Sequence, residues 1–179
     1  MEEETTKGEL RLPGSALHLI RRAFEREADR EAGARALRQA GFGTGDEIFE
    51  DYIAVANENP AGLEANRYWE TMSQFLAHHG WGSIFHERIH PGLGLIRSED
   101  WSESAYVTGS DEPGCEFSSG MLSRILEGTA GTEVAVVEVS CRGRGDDTCA
   151  FAFGSTEAVG RLREALRGGE TLDAALRGF

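Results

Sequence analysis

The chain reads as an α+β fold, a helical N-terminal half packed on an antiparallel sheet, on three observations. Apolar residues recur at spacings of three and four through residues 15–79, the period of a helix with one buried face. From Trp81 onward the period drops to two, in runs separated by Pro91-Gly92 and by Gly143 to Asp147. A short amphipathic stretch lies between the two hairpins so defined, and another follows them. Helices, hairpin, helix, hairpin, helix is the order of an α+β domain with an antiparallel sheet.

The elements follow in chain order. Pro13 precedes Leu17, Ile20, Phe24 and Ala28, one face of a first helix. A second carries Ala36, Leu37 and Ala40, then meets Gly41, Gly43 and Gly45, which either break it or mark a close backbone approach. Ile48, Phe49, Tyr52, Ile53 and Val55 resume the apolar face. Asn59-Pro60 is a break and a helix start, and the next helix runs through Trp69, Met72 and Phe75 to end at His79-Gly80. Ile84, His86, Arg88 and His90 alternate with Phe85, Glu87 and Ile89, a strand with one wetter face, and Leu93, Leu95 and Ile96 form its partner. After a Ser- and acid-rich loop, Phe117, Met121, Leu122, Ile125 and Leu126 form a short helix closed by Gly128. Val134–Cys141 and Cys149–Phe153 then read as a hairpin centred near Gly145. That register sets Cys141 opposite Cys149, Val139 opposite Phe151 and Val137 opposite Phe153, all on one buried face. Val159, Leu162, Ala165 and Leu166 mark the last helix.

Composition bounds the partners. With 40% hydrophobic and 27% charged residues the 179-residue chain is globular in type, and it can bury a core. Its net charge of -13 repels phosphate backbones and anionic lipid surfaces, so neither nucleic acid nor membrane is expected as a direct partner. No run approaches the ~20 apolar residues of a membrane span. The acidic start Met1-Glu2-Glu3-Glu4 lacks the pattern of a secretory signal, and a cytoplasmic location is expected. Residues 1–11 read as a flexible arm, 12–168 as one domain and 169–179 as a C-terminal tail.

Three cysteines, an odd count in such a chain, argue against a disulfide framework. Cys141 and Cys149 face one another across the hairpin, and Cys115 opens the preceding helix. They are either core fillers or thiolate ligands, and structural zinc wants four ligands. Glu138 lies three residues before Cys141, an odd separation that puts the two on opposite faces of a regular strand. It joins the cysteines only through a bulge. Asp146, Asp147, His86, His90 and water are the other options for a fourth ligand.

These residues resemble the 4-vinyl-reductase domain family. The likeness rests on Gly80-Trp81-Gly82, on Cys115-Glu116-Phe117-Ser118-Ser119-Gly120 opening a helix, and on Glu138-x-x-Cys141-x7-Cys149-x-Phe151. It implies a fold like that of vesicle-tethering TRAPP subunits. It also implies a structural zinc held by Cys115, Glu138, Cys141 and Cys149, a closed set with no open position for catalysis. Family members that sense phenols and other aromatics imply a small hydrophobic or aromatic ligand between helices and sheet. The matching candidates here are Phe49, Tyr52, Trp69, Phe75, Trp81, His86, Trp101 and Tyr106. The expected function is therefore binding or sensing rather than catalysis. No dinucleotide fingerprint, flavin motif or iron–sulfur cysteine set is visible for a reductase. The alternatives are a tetrapyrrole carrier or accessory role in bacteriochlorophyll synthesis, suggested by the family's name, and a dimerisation scaffold. A homodimer through the helical faces is expected.

Overall fold

A computed structural model describes residues 13–56, 59–107 and 111–179. The arm read at residues 1–11 lies outside the described residues. Helix α1 spans Ala16–Glu27, α2 Arg30–Ala56 and α3 Ala65–His78. Strands β1 (Phe85–His90) and β2 (Leu93–Ser98) form the first hairpin. Helix α4 (Glu116–Ala130) leads to β3 (Ala135–Ser140) and β4 (Cys149–Gly154), followed by α5 (Thr156–Arg167) and α6 (Leu172–Leu176). The four strands form one antiparallel sheet in the order β1-β2-β4-β3, so the two hairpins join through β2 and β4.

Helix α2 runs unbroken through Gly41, Gly43 and Gly45, because two of these glycines serve packing. A Cβ on Gly41 would lie 1.9 Å from the carbonyl oxygen of Phe117, and one on Gly45 would lie 2.8 Å from that of Met121. From the other side, a Cβ on Gly120 would lie 1.9 Å from the carbonyl oxygen of Arg38. Helices α2 and α4 therefore meet backbone to backbone. Gly128, expected to end α4, is a third such contact: it lies within the helix, where a Cβ would meet the Phe49 ring at 2.4 Å. The helix ends three residues later at Gly131, whose φ of 66° is the left-handed cap that glycine adopts without cost.

Both faces of the sheet are covered. Ile96, Phe151, Cys149 and Val136 pack with Met72, Leu76, Met121 and Ile125 of the helical layer. Leu95, Ala150, Ala152 and Val137 pack with Val159, Leu162 and Ala175 of α5 and α6. The small β4 alanines allow α5 to sit close. Residues 169–179, read as a tail, contain α6, capped by the Thr171 hydroxyl accepting the Ala174 N–H at 3.2 Å.

The β3–β4 register departs from the expected one. Glu138, not Val139, pairs with Phe151, and Val137 pairs with Ala152 rather than Phe153. A shift between Glu138 and Ser140 leaves Val139 out of the regular ladder. Val137 and Val139 consequently pack on the α5 side, while Glu138 turns to the cysteine side. The turn that closes the hairpin explains the slip. It is a 3-10 turn at Arg142–Arg144 followed by left-handed Gly145, with the Asp146 carboxylate accepting the Cys141 N–H at 2.7 Å.

The glycine contact is directly testable. Gly41→Ala is expected to lose about 1–3 kcal/mol in chemical denaturation, because its methyl has only backbone to displace. Gly43→Ala, with nothing within 4 Å, is expected to gain about 0.5–1 kcal/mol from helix propensity.

Candidate metal centre

Four acid side chains converge where the second hairpin meets the start of α4. Cys115 immediately precedes α4, Glu138 lies on β3, Cys141 follows β3 and Cys149 opens β4. One ligand atom from each lies within 4.8 Å of every other, and all four residues are buried. The Cys115 and Cys141 sulfurs are 3.9 Å apart. A disulfide needs about 2.05 Å, and the three cysteines are free. Tetrahedral zinc with Zn–S bonds of about 2.3 Å spaces its sulfurs about 3.8 Å apart. The donors therefore fit a metal of that kind.

The carboxylate carries a second mark of a ligand. Its Oε2 accepts the Cys115 backbone N–H at 2.7 Å, which fixes the side chain, while its Oε1 is buried with no hydrogen-bond partner. A buried carboxylate oxygen without a partner costs a few kcal/mol unless a cation or proton satisfies it. The other options for a fourth ligand are engaged elsewhere. Asp146 caps the Cys141 N–H and pairs with Arg144 at 2.6 Å. His86 stacks on Trp69, and His90 lies against Phe179. Among the described residues, the cluster that gathers metal-binding groups is Cys115, Glu138, Cys141 and Cys149.

Electrostatics point the same way. Burial, and then the Cys141 thiolate, push the Glu138 carboxyl well above its usual range. Cys115 is also raised, chiefly because its thiol serves Cys141 and Cys149 as a hydrogen-bond donor. Those donors pull Cys149 down to about 4, helped by the Ser104 hydroxyl and the Arg142 backbone N–H. Four acids in one dry space cannot all ionise together; a dication at their centre removes that conflict. Arg144, expected to balance the cluster's charge, ends instead on Asp146. The nearby polar support comes from backbone N–H groups and Ser104.

One residue escaped the sequence reading. Glu103, buried beneath the loop after β2, accepts the Phe117 N–H at 3.2 Å, the Ser118 N–H at 2.8 Å and the Ser118 hydroxyl. It caps the N-terminus of α4 from outside the helix, a task that Cys115 at the cap position does not perform. The Trp101 indole N–H completes the network by donating to the Ser118 hydroxyl at 2.7 Å. Burial outweighs these hydrogen bonds and raises Glu103 to about 7. Its neighbours in sequence, serine and acid, read only as a loop, so no local signal marked it.

The aromatic candidates fall into two groups. Tyr52, Trp69, Phe75 and His86 join through ring contacts with Tyr68 and Phe153 across α2, α3 and the sheet. Within this group Trp69 and His86 stack nearly parallel, 4.4 Å apart at 5°, with Phe153 beside both. Trp81 and Trp101 belong to a second set with Phe117 and Phe151, next to the metal ligands. Phe49 packs over Gly128, and Tyr106 is 45% exposed against Gly14. Tyr68 and Phe153 were not among the candidates, although the alternation from Cys149 through Phe151 already placed Phe153 on this face.

Residues 96–155 match the family model of the 4-vinyl-reductase domain, a span that contains all but one of the four converging acids' partners on the sheet and Cys115 besides. The chain carries a 4-vinyl-reductase domain. Over 143 residues it is 27% identical to the bacteriochlorophyll synthase 23 kDa chain of Cereibacter sphaeroides, covering 78% of this chain and 69% of the relative. The fold of the domain is shared with the phenol-responsive sensory domain of the transcription activator PoxR, solved with phenol. That likeness has a TM-score of 0.69 at 16% identity and covers 84% of this chain and 78% of that one. A vinyl-4-reductase family protein from Methanocaldococcus jannaschii aligns with a TM-score of 0.55 at 17% identity, covering 81% and 82% of the two chains. Trafficking protein particle complex subunit 3 from Naegleria fowleri, covalently bound to palmitic acid, aligns at 0.61 and 10% identity, covering 79% and 91%. The expected TRAPP-like fold is thus borne out. No helix among the described residues is long and apolar enough to cross a membrane.

Glu103 gives the domain a pH dependence of known sign. Its folded pKa of about 7 exceeds its ordinary value of 4.5, so its contribution is full below about 4.5 and is lost as pH rises through about 7. The loss is on the order of 3 kcal/mol. In denaturation, the stability of wild type relative to Glu103→Gln is expected to fall as pH rises across that window. Parallel curves would mean that Glu103 ionises at an ordinary pH.

Proposed function

We propose that this 4-vinyl-reductase domain is a non-catalytic receptor for a small aromatic molecule, with a structural zinc tying its second hairpin to α4. The observation that carries the reading is the stack of Trp69 on His86 with Phe153 alongside, between α3 and the sheet. Such a niche offers a planar ligand two ring faces and one polar atom pair. Burial, with Arg88 adding to it, holds His86 below its usual pKa, so the neutral imidazole is favoured. A neutral ring both donates and accepts hydrogen bonds, which suits a phenolic hydroxyl. The likeness of fold to a phenol-responsive sensory domain supports the same reading. Phenol titration followed by saturation-transfer NMR is expected to be saturable. Trp69→Ala should weaken it about 10-fold, the worth of one good stacking contact. Undiminished binding in that variant would remove the niche from consideration.

Zinc is the reading that best suits three thiols, a carboxylate and a closed geometry. When bound it supplies charge balance and a cross-link; the residues themselves leave no position for substrate. Metal analysis of protein purified under reducing conditions should give about one zinc per chain. Cys141→Ser and Cys149→Ser should lose it together with several kcal/mol of stability. Glu138→Gln should weaken metal retention at least about 10-fold.

A tetrapyrrole carrier or accessory role is the second reading, supported by the similarity to the 23 kDa bacteriochlorophyll synthase chain. Saturable binding of a free porphyrin, with phenol inert, would favour it. Helix α1 supports the homodimer: it buries no residue, and Leu19 (61%), Ile20 (41%) and Phe24 (40%) are exposed.

A further inference from the structure

On the opposite side of the sheet's edge from the aromatic niche lies a cleft of about 680 Å³, walled by the N-terminal half of α2, the start of α4, β3 and α5. Its charges are sorted by depth. Arg21, Arg38 and Arg163 are recessed and half-buried, whereas Glu31, Asp111, Glu112 and Glu170 are exposed at the rim. Two of the recessed arginines are partly satisfied. Arg21 donates to Glu25 at 2.9 Å and to the Gly114 carbonyl at 3.0 Å, and Arg38 pairs with Glu116. The Arg38 Nε is nonetheless buried with no partner. Arg163 makes no ion pair or hydrogen bond with any described residue. Burial first, and then the adjacent Arg38, hold its guanidinium below its usual range.

In a chain of net charge -13, two arginines turned toward each other without enough carboxylate between them are a costly arrangement. An anion between them would use the free Nε of Arg38 and the Arg163 fork. The rim and the chain's overall charge oppose a polyanion such as a polyphosphate or nucleic acid. The remaining wall is apolar: Val137, Val139, Leu166 and Leu172 flank the arginines. We propose that this cleft is a second small-molecule site, built for a singly charged carboxylate with an apolar body. The carboxylate meets Arg38 and Arg163, and the body lies along the valines of β3 and the leucines that follow Arg163. The site does not depend on the aromatic niche, and it abuts the metal cluster through Glu138, which lines its floor.

Hexanoate is a suitable probe, because it cannot stack on Trp69. Thermal shift and calorimetry should show saturable hexanoate binding, with neutral hexanamide inert and inorganic phosphate at least about 10-fold weaker. Arg163→Gln should weaken hexanoate at least about 10-fold. It should be no less stable than wild type without ligand, since it relieves repulsion on Arg38. Trp69→Ala should leave hexanoate binding unchanged, which separates this site from the aromatic reading. Equal responses to hexanoate and hexanamide, an unaffected Arg163→Gln, or phosphate as tight as hexanoate would each overturn the proposal.

Discussion

One irregular residue in β3 sets the chemistry of both sides of the sheet. In a regular strand Glu138 and Cys141 point to opposite faces, and Val137 would share the face of Cys141. The shift at Val139 absorbs one residue, so Glu138 and Cys141 come to the same face, while Val137 and Val139 pass to the other. The cysteine side thereby acquires its only carboxylate ligand atom among the clustered groups. The α5 side acquires the apolar floor of the arginine-lined cleft. Bulges re-aim side chains at the cost of one ladder position, and here the Asp146 carboxylate takes over the N–H of Cys141 just beyond it.

The buried acids around this point form a graded set. Glu138 and Cys115 are pushed toward their protonated forms, Cys149 toward its thiolate, and Glu103 to about 7. Glu103 differs from the rest because its oxygens are spent on the first turn of α4. It holds the helix that presents Cys115, and Trp101 locks Ser118 into the same network. Cys115 is thus placed by α4, while α4 is placed by its backbone contact with α2 at Gly41 and Gly120. Helix packing, helix capping and ligand geometry are links in one chain of dependence, so a change at a glycine far from the sulfurs acts on them.

Much of this was legible beforehand. The switch from a period near 3.6 to a period of two marked the passage from helices to sheet, because each period reports which residues share a face. The cysteine pattern with its Glu138 partner pointed to the cluster through family resemblance, and spacing alone left Glu138 on the wrong face. The glycines of α2 were readable as special positions, yet a single helix gives no sign of what approaches it. Gly128 was misread as a helix end for the same reason: a glycine in sequence looks alike whether it frees the backbone or admits a neighbouring ring.

The sequence by itself determined the element order, the α+β class, the acidic surface and the set of residues able to bind a metal, since these follow from local periodicity and side-chain chemistry. Only the tertiary structure decided the register of β3, the capping role of Glu103, the division of the aromatics into two groups and the meeting of Arg38 with Arg163. Each of these depends on contacts between segments distant in the chain, whose energies are set by burial and close packing. Local patterns carry no record of which buried carboxylate finds a helix end or which two arginines share a cleft.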